Sequence, residues 1–213
     1  YQPCILLSDG VPVPIELNAE TEFRLTPEKL ERAITEKTKA LLISYPSNPT
    51  GAIMEREDLE KIAEVVRRHD IMVISDEIYS ELSYKGPHVS IANMPGMQER
   101  TILINGFSKA YAMTGWRLGF AVVNTELAAL FDTFMANAHS CTATFTQYAG
   151  IEALTGPQHE VEKMRLKFLK RRDLVVTELN RVPGFRCHMP LGAFYAFPNV
   201  TEACRMAGLA DAD

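Results

Sequence analysis

Three times between residues 40 and 109 a short run of apolar, largely branched residues breaks off into polar turn formers. Leu41-Leu42-Ile43 runs into Ser44-Tyr45-Pro46-Ser47-Asn48-Pro49-Thr50-Gly51, Ile71 to Ile74 into Ser75-Asp76-Glu77-Ile78-Tyr79, and Thr101 to Ile104 into Asn105-Gly106-Phe107-Ser108-Lys109. Runs that are apolar at every position, with no alternation, suit strands buried on both faces, as in a mainly parallel sheet covered by helices. The stretch from Glu55 to His69 supplies a connecting helix, with Leu59, Ile62, Ala63 and Val66 on one face and Glu and Arg on the other. This constrains the chain to an α/β fold. It also constrains where a ligand can bind, because the carboxyl ends of parallel strands are where backbone and side chains leave the sheet.

The flanking segments extend the pattern. Val11 to Leu17 reads as a strand, and Thr26-Pro27-Glu28 opens a helix to about Glu36, with Thr26 as N-cap and Pro27 in the first turn. A buried strand spans Ala40 to Tyr45, and Leu118 to Val123 is the last strand of the series. Beyond Glu126 the pattern turns helical, at Leu127 to Ala136, Thr144 to Leu154 and a long charged segment from Gln158 to Asn180. Val161, Met164, Phe168, Val175 and Leu179 give that segment a narrow apolar stripe interrupted by Arg172, as expected of a helix that bridges two domains. Strand character returns at Phe185 to His188 and Ala193 to Phe197. The expected organisation is a large domain over 1–157, an interdomain helix over 158–182 and the start of a small α+β domain over 183–213.

Composition removes several function classes. With 213 residues, 46% hydrophobic and 23% charged, the chain is globular and able to bury one large core or two modest ones. Its 22 basic and 27 acidic residues give a net charge of −5 with no basic stripe, which argues against nucleic acid. No apolar run approaches the ~18 residues of a membrane span. The four cysteines, at 4, 141, 187 and 204, lie far apart without metal-site spacing and read as reduced thiols of a cytoplasmic protein.

Taken singly, the polar residues at the strand ends have ordinary structural readings. Asp76 suits a helix cap, Asn48 a turn between prolines, and Tyr79 a half-buried aromatic. Trp116 reads as local packing, the Lys163 to Arg172 run as a solvated face, and the five histidines, among them His139, show no catalytic spacing. Together the strand-end residues say more. A partly desolvated lysine such as Lys109 is a competent amine for a Schiff base, and an Asp is the partner that a pyridinium nitrogen needs. Arg117 offers a fork for a phosphate, and Asn48 and Tyr79 offer hydrogen bonds for a phenolic oxygen. These are the fittings of a pyridoxal phosphate site.

The segment Gly106-Phe107-Ser108-Lys109-Ala110-Tyr111-Ala112-Met113-Thr114-Gly115-Trp116-Arg117-Leu118-Gly119 resembles the lysine signature of class I/II aminotransferases, fold-type I pyridoxal phosphate enzymes, and most closely their aspartate and aromatic branch. Asn48-Pro49-x-Gly51, Asp76-x-x-Tyr79 and Gly192-Ala193-Phe194-Tyr195 are similar to further family elements, the last to the strand leading into the small domain. The resemblance implies a three-layer α/β/α large domain. It further implies that Lys109 forms the internal aldimine and shuttles the substrate proton, and that Asp76 keeps the cofactor's ring nitrogen protonated. Tyr79 and Asn48 then bond its O3′, Asn48 also reaches the substrate carboxylate, Ile78 packs beneath the ring, and Arg117 with Ser108 holds the phosphate.

The implied reaction transfers an amino group between an amino acid of aspartate, glutamate or aromatic type and a 2-oxo acid, in a homodimer. Two other outcomes stay open: a pyridoxal phosphate-dependent lyase or aminocyclopropane carboxylate synthase-like enzyme, and a non-enzymatic sensor domain of a transcription regulator. Family members are longer, with a phosphate-binding helix start and a ring-stacking aromatic before this stretch and a carboxylate-binding arginine after it. The chain alone is therefore expected to bind the cofactor weakly and to transaminate poorly.

Overall fold

The three apolar runs become neighbouring strands of one sheet in the computed structural model, which describes residues 1–210. In chain order the elements are α1 (Gln2–Leu7), α2 (Pro27–Ala33), β1 (Ala40–Ser44), α3 (Arg56–Arg68), β2 (Met72–Asp76), β3 (Thr101–Gly106) and α4 (Phe107–Ala110). There follow β4 (Gly119–Val122), α5 (Thr125–Ala138), α6 (Thr144–Thr155), α7 (His159–Leu179), β5 (Arg186–Cys187), β6 (Pro198–Asn199) and α8 (Thr201–Met206). The main sheet has the order β1-β2-β3-β4, with β1, β2 and β3 parallel and β4 antiparallel at the edge. Its register sets Ser44 beside Asp76 and Asp76 beside Ile104, so the three polar segments leave the sheet at one level.

The amphipathic pattern of α3 is realised as read: Leu59, Ile62, Ala63, Val65 and Val66 are buried. The helix starts at Glu55, whose N–H donates to Asp58 Oδ2 at 3.1 Å, and Arg24 joins both carboxylates at 3.2 and 2.9 Å. Beneath it, Leu30 from α2, Leu41 and Ile43 from β1 and Val73 from β2 complete one core. Thr26 caps α2 by accepting the Lys29 N–H at 3.4 Å. That helix ends at Ala33, short of Glu36, because Ile34 already has an extended backbone.

Three expectations are corrected. Val11 to Leu17 forms no strand; Pro12 and Pro14 remove two ladder donors, and Ile15 and Leu17 instead pack irregularly against the core. Ala193 to Phe197 is not a strand either, since Ala193 takes a φ of 55° and breaks the extended run, leaving only Pro198–Asn199 paired with Arg186–Cys187. In α7 the buried position is Val176, while Val175 is 44% exposed. Arg172, which interrupts the stripe, packs over the Tyr84 ring at 5.0 Å and donates to Pro190 O at 3.2 Å.

All four thiols are unpaired. Among the described residues no helix is long and apolar enough to cross a membrane, and no His/Cys/Asp/Glu group could hold a metal ion.

Candidate active site

At the end of β2 the Asp76 carboxylate is fixed from two sides. Oδ1 accepts the Ile78 N–H at 3.1 Å, which closes the turn, and Oδ2 accepts the phenol of Tyr1. Burial, then the bond to Asp76, pushes the Tyr1 phenol up to about 12, with Ser44 opposing. Asp76 thus presents one carboxylate oxygen outward to a proton donor, at the level where β1 and β3 also end.

Three residues on, Tyr79 is buried, and its hydroxyl shares a hydrogen bond of 2.5 Å with the Tyr195 hydroxyl. Burial first, and then that bond, holds the Tyr79 phenol above its ordinary value, while the nearby Asn48 side chain works in the opposite direction. The structure therefore brings Asn48, from the turn after β1, together with Tyr79. Ile78 packs in the same small cluster, with Tyr79, Leu82 and Ala193.

Lys109 reaches this cluster from α4. Its Nζ lies 6.0 Å from the centroid of the Tyr79 ring and 5.9 Å from that of Phe194, within the range of a cation–π attraction. The close approach of β3 to β4 that aims α4 there depends on Gly106: a Cβ at that position would stand 3.1 Å from both Gly119 Cα and Leu118 O. Ser108 sits half-buried beside Lys109.

Arg117 follows eight residues after Lys109. It is exposed, adopts a left-handed backbone with φ of 52°, and donates from Nη1 to Thr114 O at 2.9 Å. It lines a cavity of about 1040 Å³ together with Trp116, His139 and Phe145, whereas Asp76, Tyr79 and Lys109 do not line that cavity. Trp116 stands edge-on to Phe145 of α6, with ring centroids 6.3 Å apart.

Two features escaped the sequence reading. Glu77, between Asp76 and Ile78, is a buried carboxylate that accepts Ser75 and Ser90 hydroxyls at 2.9 and 2.6 Å and pairs with His88 Nε2 at 2.7 Å. Such satisfaction of both oxygens is what permits a carboxylate to be buried. Nothing in a lone Glu beside Asp76 signals it. The second is Phe194-Tyr195, whose approach to Tyr79 spans a separation of 116 residues; the aromatic pair after Gly192-Ala193 was its only local trace.

The donor set fits a pyridoxal phosphate. An outward carboxylate oxygen suits a ring nitrogen, an amine against aromatic walls suits an aldehyde, and a phenol with a neighbouring amide suits O3′. A ring nitrogen seated on Asp76 would take the place of the Tyr1 phenol.

The family model "Aminotransferase class I and II" matches residues 1–212. Among curated proteins, the aspartate aminotransferase of Geobacillus stearothermophilus is 43% identical over 215 residues, covering 100% of this chain and 55% of its own. An asparagine–oxo-acid transaminase of Streptococcus mutans is 44% identical over 214 residues, covering 99% and 54%. Among solved structures, the aromatic aminotransferase of Pyrococcus horikoshii superposes with a TM-score of 0.91 at 44% identity, covering 94% of this chain and 54% of that one. The aspartate aminotransferase of Rhizobium meliloti gives 0.92 at 40%, covering 95% and 51%. The chain spans about half the length of the relatives it matches. On the family match over nearly its whole length, together with these identities, the chain belongs to the class I and II aminotransferases, with their fold-type I architecture.

Proposed function

We propose that the protein is a pyridoxal 5′-phosphate-dependent aminotransferase, exchanging an amino group between an amino acid of aspartate, glutamate or aromatic type and a 2-oxo acid. The observation that carries this reading is the convergence of the Lys109 amine, the Asp76 carboxylate and the Tyr79 phenol at one sheet edge. When bound, the cofactor supplies an aldehyde that condenses with amines and a cationic ring that accepts an electron pair.

The residues of this chain do the rest. Lys109 Nζ anchors the cofactor and, once displaced, carries the proton taken from the substrate Cα. Asp76 holds a proton on the ring nitrogen, which keeps the ring cationic. Tyr79 and Asn48 orient O3′, and Asn48 also meets the substrate carboxylate. Ile78 packs beneath the ring and excludes water, while Arg117 and Ser108 bind the phosphate. The exposed Arg117 fork is open to such a ligand from the cavity it lines.

The same reading divides the chain into a cofactor-binding domain over 1–157, a connecting helix over 158–182 and the start of a small domain over 183–213. It is supported by α7, whose Met164 and Phe168 pack onto the Tyr79 cluster and tie the later segments to the site. The same reading has the protein act as a homodimer in the cytoplasm, whose reducing conditions suit the unpaired thiols.

The test is borohydride reduction of the protein at its natural length after loading with pyridoxal phosphate, followed by peptide mapping. A fixed adduct on Lys109 is expected, with conversion to the pyridoxamine form on adding glutamate or aspartate and no adduct in Lys109→Ala. A folded protein that yields no adduct at Lys109 refutes the reading.

A further inference from the structure

The segment after α7 returns to the sheet edge and is fastened there by backbone bonds. Leu191 and Gly192 both donate their N–H to Gly51 O at 2.9 Å, and Ala193 donates to Leu82 O at 2.9 Å. In return Tyr84 N–H donates to Leu191 O at 2.9 Å, and the Tyr84 hydroxyl donates to Ala193 O. The fit at Gly51 tolerates no side chain: with φ of 68°, a Cβ there would lie 2.2 Å from Pro190 Cβ. Ala193, fully buried, is held in a left-handed conformation that strains a non-glycine residue, and such strain persists only where the surroundings impose it.

What this clamp delivers is two aromatic rings. Phe194 and Tyr195 stand edge-on to Tyr79 at centroid distances of 5.3 and 5.6 Å, and the Tyr195 hydroxyl meets that of Tyr79. We propose that Tyr195 is a positioning residue that aims and polarises the Tyr79 hydroxyl toward the cofactor's O3′, an inference that rests on the aminotransferase reading. When Tyr79 commits its proton to O3′, the bond it shares with Tyr195 runs from the Tyr195 O–H to the Tyr79 oxygen. A hydroxyl that accepts one hydrogen bond donates the next more strongly. The clamped segment thereby sets how firmly O3′ is held.

The direction of the effect follows. Donation to O3′ favours the deprotonated state of the bound cofactor, in which O3′ carries more unshared negative charge, so weakening it moves the protonation midpoint upward. Tyr195→Phe keeps the ring that packs on Tyr79 and removes only the hydroxyl.

In the cofactor-loaded protein at its natural length, the pH midpoint of visible absorption is expected to rise in Tyr195→Phe by on the order of half a unit. The cofactor dissociation constant is expected to rise roughly two- to tenfold, the worth of one hydrogen bond. Tyr79→Phe is expected to shift both more, and Tyr195→Phe to add nothing in a Tyr79→Phe background. A midpoint unchanged in Tyr195→Phe while Tyr79→Phe moves it overturns the proposal, as does full additivity of the two. Absence of any adduct at Lys109 in the unaltered protein refutes the aminotransferase reading instead. The tyrosine pairing is then decided by a double-mutant cycle on urea unfolding of the cofactor-free protein. There, coupling between the two substitutions supports the pairing, and additive effects overturn it.

Discussion

The two ends of the main sheet are built to different degrees of completion. At the β1–β2 end, α3 buries five apolar side chains and its outer face is charged. At the β4 end, α5 buries none, and Leu130, Phe134 and Met135 are 64, 66 and 44% exposed; from α6, Phe145 and Tyr148 are 71 and 70% exposed. The sheet itself shows the same contrast, since β1 alternates buried and part-buried positions after its first residue and β4 is exposed throughout. A helix with one apolar face finishes its packing within the chain, whereas one apolar on several sides needs a second cover. Among the described residues nothing provides it. The difference teaches that the candidate site lies between a region whose packing is completed within residues 1–210 and one whose apolar side chains these residues leave exposed.

Four measurements would break or sharpen this contrast. Ile62→Ala, fully buried in the closed region, is expected to cost about 2–5 kcal/mol in urea unfolding. A cost under 1 kcal/mol would mean that the β1–β2 core is looser than its packing. Next comes the alkaline limb. Burial first pushes the Tyr45 phenol up to about 12, with the Leu25 N–H opposing. The folded state therefore keeps its proton where the unfolded state, near 10, loses it, so this contribution is intact below about 10 and is lost as pH rises toward 12. Tyr45→Phe is expected to flatten that slope, on the order of 2 kcal/mol across the interval; a limb as steep as before would assign the effect elsewhere.

Thr26→Ala, which removes the α2 cap, is expected to cost about 1 kcal/mol by the same unfolding assay. Phe134→Ala on the open side should lie within roughly 0.5 kcal/mol of zero for this chain. If Phe134→Ala rivals Ile62→Ala, then α5 is covered in solution and the contrast fails.

Much of the closed region was legible because its signals are local. The apolar runs before Ser44, Asp76 and Asn105, the α3 periodicity and the Thr26-Pro27 start each declare an element within a dozen residues. Where prolines broke the ladder, at Pro12 and Pro14, apolar alternation misled, and α1 carried no periodic signal long enough to read. The same division runs through the site. Asp76, Tyr79 and Lys109 announce themselves at strand ends, and register brings those ends level. Arg117 was placed with them on the motif, and in the fold it lines the cavity shared with Trp116, His139 and Phe145. The contact of Tyr195 with Tyr79 and the Glu77–His88 pair were invisible because their meaning lies in partners from other elements.

The fastening of residues 190–193 at Gly51 and Leu82 also bears on the order of folding. Contacts separated by more than a hundred positions, as Tyr79 is from Tyr195, incur the largest loop-closure entropy and form late, after the local helix and strand pairings that support them. The parallel sheet that carries Asp76 and leads into Lys109 of α4 can be in place before residues 190–195 arrive. The aromatic wall is therefore added late, so a nascent chain holds the reactive amine well before it holds the rings of Phe194 and Tyr195 beside it.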